Sequence, residues 1–212
     1  MAVICPTVTA YDTHQYREQM ERVQDFAERL HIDFMDGDFA PTKSPGLEEA
    51  WWKDSDRTDI HLMYRKPTDH LEEIVRLSPS LVIVHAEADG NFVEFARELH
   101  SHDIKAGVAL LAKTSPDIIK PAMDQVDHVL IFSGDLGNFG GKVDLVLLEK
   151  VKTLKDWKPE VEIGWDGGIN DQYIQDLIKG GVDVLNVGGF IQRAENPRGA
   201  YDKLKVLTQK QT

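Results

Sequence analysis

Eight short runs of β-branched and apolar residues, amphipathic segments between them, and a mean repeat of roughly 26 residues predict a single (β/α)8 barrel over residues 1–212. The strand candidates, in order, are residues 3–5, 30–35, 59–63, 81–85, 105–110, 128–132, 162–165 and 184–187. The first helix is read over 15–30, where Met20, Val23, Phe26, Ala27 and Leu30 recur at the spacing of one helix face. Phe92, Phe95, Ala96 and Leu99 make the same stripe over 91–99, and Leu147, Leu148, Val151 and Leu154 make it over 144–154. Ser115 before Pro116 offers a helix start, Asn170-Asp171 offers another, and Gly180-Gly181 supplies a stop. An open doubly wound sheet is the alternative. It would carry fewer strands and a glycine-rich turn after the first, whereas Cys5-Pro6-Thr7 is read as leading straight into a helix.

Composition narrows the ligands. Lys and Arg total 24 against 36 Asp and Glu, a net charge of −12, which argues against nucleic acid or an anionic membrane as partner, since both are polyanions. Any anionic ligand must then be held by a local device. Cys5 is the only cysteine, so no intrachain disulfide forms. The amino terminus has no basic stretch leading an apolar one, and no apolar run reaches membrane-spanning length, so a cytoplasmic protein is expected. The sequence is compatible with a homo-oligomer and does not specify one. Trp51 and Trp52 are expected to pack on the barrel exterior.

Chemistry in a barrel sits at the carboxyl ends of the strands. His31 and Asp33 lie two apart in 30–35 and therefore share a face, opposite Ile32 and Phe34. His61 in 59–63 and Asp166 just after 162–165 bring another imidazole and carboxylate to later strands. A lone strand-end histidine is more often a hydrogen-bonded core residue, but buried carboxylates require a counter-charge. Two imidazoles and two carboxylates form a mixed donor set for zinc, iron(II), manganese or cobalt. Glycines cluster after the last three strand candidates, at Gly140-Gly141, Gly167-Gly168 and Gly188-Gly189. Each pair alone reads as a tight turn; together they suggest an anion site built from backbone amides.

Taken in order, Cys5-Pro6-Thr7, the segment from His31 through Asp36-Gly37 to Pro41, Asp59-Ile60-His61-Leu62-Met63, Val84-His85-Ala86-Glu87, Phe139-Gly140-Gly141 and Asp166-Gly167-Gly168 resemble the ribulose-phosphate 3-epimerase family. The resemblance runs from about residue 3 to about residue 205. It implies a barrel of the ribulose-phosphate-binding type and an isomerase of carbohydrate metabolism, in the pentose phosphate pathway, that interconverts D-ribulose 5-phosphate and D-xylulose 5-phosphate through an enediolate. By the same resemblance His31, Asp33, His61 and Asp166 would hold one divalent metal ion, with Asp33 and Asp166 as the catalytic acid and base. Thr7, Met35, Met63, Gly140, Gly141, Gly167, Gly168, Gly188 and Gly189 would contact the phosphorylated ketose, and His85 would sit behind the ligands without being one.

The pattern also departs from the family. Thr7 stands for its serine, Phe132 for a methionine and Gly189 for a serine, and the stretch 134–142 lacks its proline and is a residue longer. An epimerase of another ketose phosphate, such as allulose 6-phosphate, and a non-catalytic sugar-phosphate-binding barrel are the alternatives. A decarboxylase or aldol-type synthase on a similar barrel would carry Asp-x-Lys-x-x-Asp, and Asp33-Phe34-Met35-Asp36 has no lysine.

Overall fold

The computed structural model describes residues 2–53, 57–138 and 140–209, so Phe139 of the expected phosphate loop lies outside the described residues. Eight parallel strands close into a barrel in sequence order, β1 pairing with β8. The chain runs β1 (Val3–Thr9), α1 (Thr13–Val23), β2 (Leu30–Met35), β3 (Thr58–Met63), α2 (Leu71–Leu77), β4 (Leu81–His85), α3 (Phe92–Ser101), β5 (Lys105–Leu111) and β6 (His128–Phe132). It continues with α4 (Leu148–Trp157), β7 (Glu162–Asp166), α5 (Ile174–Lys179), β8 (Val184–Val187), α6 (Gly189–Gln192) and α7 (Pro197–Gln209). No helix among the described residues is long and apolar enough to cross a membrane.

Each expected strand is present, with three corrections around them. First, β1 extends to Thr9, so Cys5-Pro6-Thr7 is strand and not the approach to a helix. Second, strand and α-helix do not alternate strictly. The connection after β2 carries only a 3-10 turn at Leu47–Glu49, and the one after β5 is a 3-10 segment, Pro116–Gln125. Pro41, Pro45 and Gly46 interrupt the first, while Pro121 inside the second lacks the N–H that an α-helix needs there. The helix read over 15–30 is also shorter. Asp12 caps it, its carboxylate accepting from the Gln15 amide at 2.8 Å, and it ends at Val23 so that Leu30 can open β2.

Strand alternation sorts the barrel into two cores. Ile32, Phe34, Ile60, Leu62, Val129, Ile131, Ile163 and Trp165 face outward and join the apolar layer under the helices. Inside, Leu81, Ile83, Ala109 and Leu130 form a smaller plug. Below it the amino-terminal end is tied by a buried ion cluster: Arg29 Nε lies 2.6 Å from Asp59, and its terminal nitrogens meet both Glu162 oxygens at 2.9 and 2.8 Å. Above the plug the lining turns polar. On the exterior, Trp51 meets Tyr16 edge-on at 5.9 Å, and Trp52 packs partly buried against the helical layer.

Candidate active site

The polar end of the barrel is set by register. Pairing of Asp33 with His61 across β2 and β3, and of Thr9 with Asp33 across β1 and β2, places three inward side chains at one level. His31 lies one pleat below, and Asp166 closes the ring from the last residue of β7. His31 and His61 are fully buried and Asp33 nearly so. One donor atom from each of His31, Asp33, His61 and Asp166 falls within 4.8 Å of all the others. The four residues expected as one cluster are thus adjacent.

Their contacts are uneven. Asp33 accepts from the Thr9 hydroxyl at 2.6 Å through one oxygen and faces His61 Nδ1 at 2.9 Å with the other. His61 Nε2 lies 2.9 Å from His85 Nε2, so His85 does sit directly behind an expected ligand. His31 Nε2 lies 3.3 Å from Asp33 and 3.8 Å from Asp166, yet neither nitrogen of this buried imidazole has a hydrogen-bond partner among the described residues. An orphaned imidazole aimed between two carboxylates is a costly arrangement alone. A divalent cation sharing those lone pairs removes the cost, and the mixed nitrogen and oxygen set suits a borderline ion. The residues present fit such an ion.

The same packing separates the two carboxyl groups. Burial and the nearby Asp33 charge push Asp166 up. Burial also acts on Asp33, but contacts from His31 and His61 outweigh it and hold that carboxyl well below the usual range. In the metal-free protein Asp166 therefore holds its proton to a higher pH than Asp33 does. Burial pushes His61 down, against the pull of Asp33.

Over this cluster opens a cavity of about 280 Å³. Of the residues expected to contact substrate, Thr7, Met63, Gly140, Gly167, Gly168, Gly188 and Gly189 line it. Met35 and Gly141 do not. Met35 is buried beneath the mouth with Ala40 and Met63, its sulfur accepting from the Thr42 hydroxyl at 3.2 Å. Gly141 instead presses on the Gly134 backbone, where a Cβ would come within 2.7 Å of its Cα. Among the lining residues that escape sequence reasoning are Thr9, Asn186 and Arg193. Asn186 had a signal, since it breaks the apolar run of β8; buried beside the cavity, its amide has no hydrogen-bond partner among the described residues. Arg193 puts a guanidinium-bearing side chain on the lining beside the glycine-bearing loops.

Gly167 adopts φ +113, and a Cβ there would lie 2.3 Å from the Gly134 amide nitrogen. No side chain can be accommodated without moving the loop after β6. Gly167→Ala is therefore expected to cost at least about 2 kcal/mol, measured by urea unfolding; an unchanged midpoint would show that the loops part easily.

A model of the ribulose-phosphate 3 epimerase family matches residues 3–191. Curated relatives named ribulose-phosphate 3-epimerase align almost end to end. That of Helicobacter pylori (strain J99) is 31% identical over 97% of this chain and 98% of its own, and that of Aquifex aeolicus 29% over 98% and 97%. That of Bacillus subtilis is 27% identical over 97% and 99%. Among solved structures, 3-hexulose-6-phosphate synthase from Salmonella typhimurium superposes with a TM-score of 0.70 at 15% identity, covering 98% of this chain and 99% of that one. The 3-keto-L-gulonate-6-phosphate decarboxylase of Vibrio cholerae gives 0.73 at 10% identity, covering 97% and 96%. At such identities these two speak for the barrel only. The family match and the full-length relatives go further: the chain belongs to the ribulose-phosphate 3-epimerase family and is an epimerase of the isomerase class.

Proposed function

We propose that the protein interconverts D-ribulose 5-phosphate and D-xylulose 5-phosphate, with Asp33 and Asp166 as the two proton-transfer groups and one divalent cation held by His31, Asp33, His61 and Asp166. The observation that carries this reading is geometric: two imidazoles and two carboxyls meet at one end of the barrel, one donor atom of each within 4.8 Å of all the others. Inverting C3 beside a C2 ketone means removing a proton from one face and delivering another to the opposite face. An ionised Asp33 takes the first, and a protonated Asp166 delivers the second. In the reverse direction the roles exchange. A divalent cation held by His31, Asp33, His61 and Asp166 would supply positive charge against the oxyanion that develops as the C3–H bond breaks. Thr9, donating to Asp33, keeps that carboxylate oriented, and the Met63 thioether and Phe132 ring form an apolar wall that limits water. The glycine-bearing loops, with Arg193, provide the end of the cavity suited to phosphate.

Incubation with D-ribulose 5-phosphate in heavy water is expected to place deuterium at C3 and yield D-xylulose 5-phosphate. Exchange without inversion would transfer the reading to a different ketose phosphate, and a metal-loaded protein that exchanges nothing would end it.

A further inference from the structure

We infer that Glu87 and His85 are positioning residues that fix the tautomer of His61, so that its Nδ1 lone pair faces the cation site. The inference rests on the reading of that site as one for a divalent cation.

The geometry is a line of four groups. His61 presents Nδ1 to Asp33 at 2.9 Å and Nε2 to His85 Nε2 at 2.9 Å. The far nitrogen of His85, Nδ1, lies 3.5 Å from Glu87 Oε2. The other Glu87 oxygen accepts from the Leu111 amide at 3.2 Å and from the Thr114 hydroxyl. Lys150 secures the same turn by donating to the carbonyls of Leu111, Ala112 and Thr114, each at 2.8 Å. His85 is buried between the rings of Phe39, at 4.8 Å, and Phe132, at 5.7 Å. Neither end of the line is free to turn.

A contact between two neutral imidazole nitrogens holds one proton, and that decides both rings at once. In the first arrangement His61 donates from Nδ1 to Asp33, so its Nε2 accepts from His85 Nε2–H. His85 then turns a bare Nδ1 toward the Glu87 carboxylate, lone pair against lone pair. Neither His85 Nδ1 nor Glu87 Oε2 has a hydrogen-bond partner among the described residues. In the second arrangement His61 gives its Nδ1 lone pair to a cation and donates from Nε2 to His85, which donates from Nδ1 to Glu87. Each ring carries one proton in both arrangements, so no charge changes: the His61 Nδ1 proton is released to solvent, the shared proton crosses from His85 Nε2 to His61 Nε2, and one proton is taken up from solvent at His85 Nδ1. Glu87 favours the second by being an acceptor only. His85 and Thr114 outweigh its burial and keep it below the ordinary carboxylate range, hence ionised. A carboxylate behind a metal-ligating imidazole is a known way of orienting the ligand; here a second imidazole is interposed.

Glu87→Gln separates this role from a structural one. The amide oxygen keeps the bonds to Leu111 and Thr114, while the amide nitrogen, a donor, replaces the acceptor facing His85 Nδ1. The tautomer is then locked the wrong way. Competition with a chromophoric chelator is expected to show Zn²⁺ affinity reduced by about 10- to 100-fold at unchanged thermal stability. A second measurement needs no variant: imidazole ¹⁵N shifts of the wild-type protein loaded with Zn²⁺ are expected to show His85 protonated at Nδ1 and His61 protonated at Nε2. Equal Zn²⁺ affinity in Glu87→Gln and wild type, or a His85 Nδ1 that is bare in the Zn²⁺-loaded protein, overturns the inference alone. A wild-type protein that binds no Zn²⁺ removes the reading of the cation site as well.

Discussion

Asp166→Asn is expected to lower kcat by about 10³-fold or more, within the span that a positioned proton-transfer group contributes, while the barrel keeps its fold. Asparagine matches the shape of the carboxyl and keeps an oxygen, but it cannot give up a proton to a carbanion. Asp33 is untouched in this variant. One of the two epimers, the one whose C3–H faces Asp33, should therefore still exchange that hydrogen with heavy water although neither epimer is converted. Asp33→Asn is expected to be broader in effect. That carboxylate accepts from Thr9 and faces both His61 and His31, so its loss disturbs the cluster as well as the proton transfer. Steady-state kinetics together with mass-spectrometric exchange reads both. An Asp166→Asn protein working within tenfold of wild type would mean that the second proton-transfer group lies elsewhere.

At the opposite end of the barrel, Arg29→Met is expected to destabilise the fold by roughly 3–5 kcal/mol, the cost of leaving buried carboxylates without their counter-charge. At about 2–4 °C per kcal/mol for a chain of this size, Tm falls by on the order of 10 °C. Arg29 and Asp59 are each only 1% exposed, so water cannot replace the lost partner. Glu162 loses both guanidinium bonds and keeps His128 at 2.8 Å. Adding Asp59→Asn and Glu162→Gln to Arg29→Met should recover much of the loss, because no uncompensated charge remains. The cluster also predicts an acid limb. Burial alone would raise Glu162, but His128 and Arg29 outweigh it and lower its affinity for protons in the folded state. A depressed carboxyl contributes stability above its unfolded value of about 4.3, and that contribution fades as pH drops through the folded value. Glu162→Gln should therefore flatten the decline in stability below about pH 4.3, seen in urea titrations at stepped pH. An Arg29→Met protein as stable as wild type would show that the floor relies on packing alone.

How much of this is legible in the sequence depends on whether the cause is local. Parallel strands buried on both faces write themselves as β-branched runs, and all strands from β2 to β8 begin and end within a residue of their expected bounds. His31 and Asp33 share a face by alternation alone, which is why the core of the candidate site is readable. Thr9 is not readable, because reading β1 as ending at Cys5 removes Thr9 from the sheet, and only the pairing of Thr9 with Asp33 gives it a role. The contact of His61 with His85 requires the pitch between β3 and β4, a property of barrel closure. Arg29 looks like an ordinary charge between a helix and a strand; its burial follows from Asp59 and Glu162 arriving beneath it from distant parts of the chain. Met35 illustrates the converse. Its alternation is right, but the turn after β2 folds over it and Thr42 caps its sulfur.

The backbone of the turn after β7 lies directly on that of the segment after β6: the Gly167 Cα hydrogen points at the amide of Gly134, and that of Gly168 at Lys142. The two crossings behave as one jointed rim. An engineer seeking to admit a bulkier sugar cannot graft either segment singly from a relative, since a transplanted turn would meet its neighbour's main chain. Exchanges have to travel in matched pairs, and natural insertions in one segment should come with compensating changes in the other.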